Sequence, residues 1–144
     1  MELKSVILAA VIFTVVAQFI HTAGAMATMA YYYDAAYFSV WSKLMMPAAG
    51  PPPPEFLYLS LALGLVTSFI SVYAYVLLKK AIPGKTWAGR GINYGLLLFL
   101  LCTVPSTFSL LLLINLPPFL VMGWALEGLV ISLAGGLVTA KLNG

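Results

Sequence analysis

Residues 56–78 read FLYLSLALGLVTSFISVYAYVLL, an apolar run without a charged side chain that stops on Lys79-Lys80. A helix rises ~1.5 Å per residue, so about 20 such residues cross a hydrocarbon core ~30 Å thick. The run is long enough to span a bilayer. Its basic end can reach water and complements the negative end of the helix dipole. Three further apolar runs of spanning length follow on either side, at about 5–30, 92–114 and 119–140. The chain is therefore predicted to be all-α, an integral membrane four-helix bundle and a single domain over 1–144, since spans and connections leave no room for a soluble unit.

Composition agrees. With 62% hydrophobic and 8% charged residues in a chain of 144, there are too few polar side chains to coat a soluble globule. The formal charge of +3 is no nucleic-acid signal, because the excess sits in one loop without a basic face of stacking aromatics. The lone Cys102 falls in an apolar run and reads as a small core residue. The first run imitates a signal peptide through Lys4 and the triplet Ala23-Gly24-Ala25, but it is longer than a usual signal core and carries His21, so it is read as a span.

Between the first and second spans the composition changes. In segment 31–46, Tyr33, Tyr37, Trp41 and Leu44 recur at helical spacing among further aromatics, which predicts an interfacial aromatic helix at headgroup level with Asp34 and Lys43 in water. Residues 47–54, with Pro47 and Pro51 to Pro54, read as a stiff proline linker. Lys79, Lys80, Lys85 and Arg90 occupy the loop after the second span, where they are expected to meet anionic lipid headgroups. Short basic loops stay in the cytoplasm, so both termini are expected there, in a multi-pass protein of the cell membrane. The turn at Asn115 to Pro118 brings the fourth span back beside the third.

Of seven basic and four acidic side chains, Glu127 alone lies well inside a span. A carboxylate at mid-bilayer costs at least ~2.5 kcal/mol, so it is expected to face the bundle interior with a partner. Depth suggests the partner. Counting from the loops, Glu127 lies ~13 Å below the Pro118 turn and His21 ~10 to 13 Å below the same level. Gln18 shares a helical face with His21, and Pro105 frees the carbonyl of Leu101 at similar depth, where Ser106 and Thr107 can help. Trp124, three residues before Glu127, could donate its indole N–H to the carboxylate. These residues predict an intramembrane polar layer of Gln18, His21, Glu127, Trp124 and the Pro105 kink. A His and a carboxylate in low dielectric can exchange a proton, which points to a relay or ligand site. The plainer alternative is interhelical glue that fixes register, and it carries more weight because there is one of each partner.

Gly128, Ser132, Gly136 and Ala140 recur every four residues, a helix-packing stripe that admits either a neighbour in the same chain or a second subunit. Gly89, Gly91 and Gly95 around Arg90 fit no phosphate-binding pattern, and one His, one Glu and a distant Cys make no metal-ligand spacing. No cofactor or catalytic residue is assigned.

Taken together, the polar first helix with His21, residues 37–47 with Trp41 and Met45-Met46-Pro47, Gly89-Arg90-Gly91 with Gly95, Pro105, the Asn115-to-Pro118 turn and Trp124 with Glu127-Gly128 give the chain a resemblance to a loosely defined group of small four-span prokaryotic membrane proteins of unknown function. The resemblance covers most of the chain and implies a fold, not an activity.

Three functions follow as expectations. The leading one is a non-enzymatic helix-bundle subunit or scaffold that packs with itself, as a homo-oligomer, or with a membrane-protein partner. The others are a small proton-coupled transporter or channel component using the His/Glu layer, and a membrane enzyme acting on a lipid or quinone. No second intramembrane acid and no nucleophile-base motif supports the latter two. Membrane lipids are expected contacts throughout, and nucleic acid is not.

Overall fold

In the computed structural model, which describes residues 2–48 and 51–144, helix makes up 81% of the described residues and no strand occurs among them. The order is α1 (Leu3–Ala27), α2 (Met29–Tyr33), a 3-10 helix (Ala35–Val40), α3 (Pro54–Leu78), α4 (Trp87–Leu98), a π turn (Phe99–Thr103), α5 (Val104–Leu113) and α6 (Pro118–Asn143). Four helices are long and apolar enough to cross a membrane: α1, α3, the continuous run Trp87–Leu113, and α6. This fits a polytopic membrane protein.

Prolines set two of the helix starts. Pro54 of α3 and Pro118 of α6 stand at first positions, where a missing N–H loses nothing, and each follows a second proline that acts as the N-cap. Glu55 in the first turn of α3 suits the positive end of that helix. The third long helix begins at Trp87, earlier than the expected residue 92. Thr86 caps it, its hydroxyl accepting the Gly89 N–H at 3.1 Å, so Gly89 is helical and not part of the turn. The turn glycine is Gly84, whose φ of 146° is open to glycine and strained for other residues. Asn93 donates to the Pro83 carbonyl at 2.7 Å and ties this turn down.

Pro105 does not simply kink its helix. The π turn just before it absorbs the missing donor, with the Val104 N–H reaching the Phe99 carbonyl. The Ser106 and Thr107 hydroxyls donate to the carbonyls of Cys102 and Thr103 at 2.7 and 2.8 Å, not to that of Leu101.

Segment 31–46 does not form one helix. Asp34 interrupts it, ending α2 and accepting the Ala36 N–H at 2.9 Å, which starts the 3-10 turn. A short side-chain acceptor competes well with helix continuation, and it overrides the aromatic periodicity. Residues 49 and 50 of the proline linker lie outside the described residues.

Packing is lopsided. The buried residues of α1 (Val6, Ala9, Ala10, Phe13, Thr14), of α3 (Ser68, Val72, Tyr75) and of α4 (Gly91, Tyr94, Gly95) all lie in the half of the molecule nearer Lys79 and Lys80. There α6 is glycine-rich: a Cβ on Gly135 would strike the Phe13 ring, and Ser132 and Gly136 meet Gly95 and Gly91 backbone to backbone. Apolar lipid gives no hydrophobic drive for helices to associate, so close approach through small residues supplies the dispersion contacts that hold them. In the other half, the buried residues of α6 are Leu120 and Val121, which pack with Leu116 under Tyr31, Val40, Trp41 and Trp124. The expected small-residue stripe is thus occupied within the chain: Gly128 lies on Thr103, Ser132 and Gly136 on α4, and Ala140 among Tyr75, Ile82 and Tyr94.

Candidate functional site

The half of the molecule nearer the prolines holds the site. No residue of α3 before Ser68 is buried, and its first turns line, with α1 and α6, a cavity of about 690 Å³. This lies within the ~300–1,000 Å³ typical of small-molecule sites. Tyr32, Tyr33 and Met45 of the aromatic segment and the prolines before α3 form further wall.

His21 of α1 and Glu127 of α6 line this cavity and are in direct contact, Glu127 Oε1 accepting from His21 Nδ1. With Nδ1–H given to the carboxylate, a neutral imidazole keeps Nε2 as an acceptor for a further partner. Gly24, one turn beyond His21, makes room for the carboxylate: a Cβ there would collide with Glu127 Oε2. The carboxylate side chain is 12% exposed and the imidazole 60%. An imidazole so open among apolar side chains draws on the cavity for polar company.

The other members of the predicted layer are placed differently. Gln18 lines the cavity but donates to Thr22 of its own helix at 3.4 Å, and does not join the His21–Glu127 contact. Trp124 also lines it, yet the hydrogen-bond partner of Glu127 is His21 and not the indole. Pro105 is exposed and away from the cavity wall, so the kink is no part of the site. Its link is indirect, through Thr103, on which Gly128 rests beside Glu127.

Sequence reasoning missed several participants. Gly24 stands out in the sequence only as part of a triplet that imitates a cleavage site within a run read as a span, and Tyr32, Met29, Met45 and Ser60 carry no signal of a shared wall. Two of the ring contacts that brace the wall, Tyr32–Trp41 at 4.9 Å and Trp41–Trp124 at 6.2 Å between centroids, join the aromatic segment to α6. The aromatic periodicity was the available hint, read as an interface signal alone.

At the opposite end, the basic residues differ among themselves. Lys80 and Lys85 are exposed, whereas Lys79 donates to the Asn143 carbonyl at 2.9 Å and Arg90 is partly covered beside Gly84. Lys141 stands 5.8 Å from the Trp87 ring.

No family model, curated protein or solved structure matches the chain. The chemistry of the site therefore rests on its own geometry.

Proposed function

We propose that the chain is a multi-pass protein of the cell membrane, a four-helix bundle with both termini cytoplasmic and its aromatic segment at the outer interface, that binds a small amphipathic molecule delivered from the bilayer. The observation that carries this is the cavity between α1, α3 and α6 with the His21–Glu127 pair in its wall. The lining is mostly apolar and aromatic, and a few convergent polar groups orient a ligand, which is the usual composition of a small-molecule site. Sidedness follows from the Lys79, Lys80, Lys85 and Arg90 loop, through which the cytoplasmic end would touch anionic lipid.

A scaffold working through the small-residue stripe has less support, because that stripe is already covered by α4 and Thr103. Binding is the step that transport and lipid or quinone chemistry share, and among the described residues the lining offers one acid, Glu127, in contact with His21.

The test is photolabelling with the uncharged probe 4-hexyloxybenzophenone, whose excited ketone inserts readily beside methionine. Met29 and Met45 line the cavity, while Met26 and Met122 are exposed elsewhere and report general lipid-phase labelling. Labelling of Met29 and Met45 above the other two, lost in a Ser60→Trp variant that fills the cavity, supports the reading. Equal labelling of all four, unaltered by Ser60→Trp, removes it.

A further inference from the structure

Resting on that reading, we infer that the ligand of this cavity carries an organic cation, a quaternary ammonium or protonated amine on an apolar body, held between Glu127 and the aromatic faces of Tyr32, Tyr33 and Trp124.

Charge is the first reason. Among the described residues, the lining contains Glu127 and no lysine or arginine. The charged residues flanking the lining in sequence are Asp34, Lys43 and Glu55, which add a further net negative charge. A fatty acid or a phosphate would face the Glu127 carboxylate there with no lysine or arginine to offset it, since the one other group able to carry positive charge, His21, is already engaged with Glu127 through Nδ1. His21 satisfies one oxygen of Glu127 through Nδ1, and the other lies over the bare Cα of Gly24, unscreened by any side chain of that residue.

The second reason is the wall. An ammonium bearing methyl groups offers little to donate, so its recognition rests on aromatic faces and a nearby negative charge. Four aromatic residues, Tyr32, Tyr33, Phe56 and Trp124, line the cavity, and the Trp41 ring holds Tyr32 and Trp124 in place from behind at 4.9 and 6.2 Å. Rings braced in this way are pre-organised, so little is lost in ordering them. Met29 and Met45 add adaptable, polarizable contacts for the apolar body. An N–H of a protonated amine has a further acceptor in His21 Nε2.

Two sources offer this chemistry: a free hydrophobic amine, or the ethanolamine or choline head of a lipid. The experiment uses the full chain in phosphatidylglycerol nanodiscs, which contain no amine head. It compares 4-hexyloxybenzophenone with its ω-trimethylammonium and ω-carboxylate derivatives, scoring Met29 and Met45 relative to Met26 and Met122 in the same sample. The cation is expected to reach half-maximal cavity labelling at about a tenfold lower concentration than the neutral probe, and the carboxylate to label the cavity least. Glu127→Gln should close that gap, and Tyr32→Leu should narrow it should the first variant fold poorly.

If the neutral probe labels the cavity and the cation does no better, the cationic ligand is refuted while the binding site stands. If none of the three exceeds the control methionines, both fall. Added phosphatidylethanolamine that competes with the cation identifies a lipid head as the source, and lack of competition identifies a free amine; each is consistent with the proposal once the charge gap is seen.

Discussion

Gly95 rests on the backbone of Ser132, so closely that a Cβ on Gly95 would stand 2.6 Å from the Ser132 carbonyl oxygen and 2.7 Å from the Cα of Leu133. Backbone cannot swing aside as a side chain can. Gly95→Ala should therefore prise α4 from α6 and destabilise the protein by roughly 1–3 kcal/mol. Gly123, whose Cβ position has no packing neighbour within 4 Å among the described residues, is the internal control. Gly123→Ala should be neutral or stabilise by up to about 1 kcal/mol, through reduced chain entropy. Thermal melts of both variants in one detergent check this, and equal melting points would show the contact to be unimportant.

Gly24 poses the opposite case, because what a Cβ there would meet is the far end of the Glu127 side chain. Gly24→Ala should cost less than Gly95→Ala, since the carboxylate can rotate away. Its signature should be chemical: the carboxylate loses its contact with His21, and the carboxylate stretch in the infrared difference against Glu127→Gln shifts. An unshifted band would mean that the carboxylate has room the geometry does not offer.

His21 and Glu127 should be energetically coupled. Removing either alone strands the other, whereas His21→Phe with Glu127→Leu removes both polar groups at once. A double-mutant cycle on melting temperature should give a coupling of roughly 1 kcal/mol, modest because the imidazole is 60% exposed. Strict additivity of the two single effects would argue against the pair.

Thr86 caps α4 through the Gly89 N–H. Thr86→Ala should cost roughly 1 kcal/mol, and Thr86→Ser should recover most of it. Limited proteolysis after Lys85 offers a local readout, with cleavage accelerated in the alanine variant only.

The spans were legible because their signal is one-dimensional: length without charge decides whether a helix can cross lipid. The start of the third helix was not, because Gly89, Gly91 and Gly95 look like a loop by propensity, and only their fit against Gly136 and Ser132 makes glycine the right residue for a helix there. Depth reckoning put His21 and Glu127 at one level, and they do touch. The same reckoning put the Pro105 kink there too, but depth fixes height and says nothing of rotation about the helix axis, whereas Gln18, placed by the helical face it shares with His21, does line the cavity. Pro105 accordingly faces outward, and Gln18 turns to Thr22. The cavity was invisible in sequence, since it is made by the way α1, α3 and α6 meet, and the composition of α3 gives no sign that its buried residues begin only at Ser68.

That uneven burial divides the molecule mechanically. Where Val6, Val72, Tyr75 and Ala140 are fully buried, the helices are stiff and a squeeze from the sides finds little to compress. At the end nearer the prolines the same squeeze acts on empty volume. In the membrane setting proposed above, lateral pressure, which varies with lipid shape, would act first on that empty volume, and the lipid composition of the membrane would become an input to the protein in its own right.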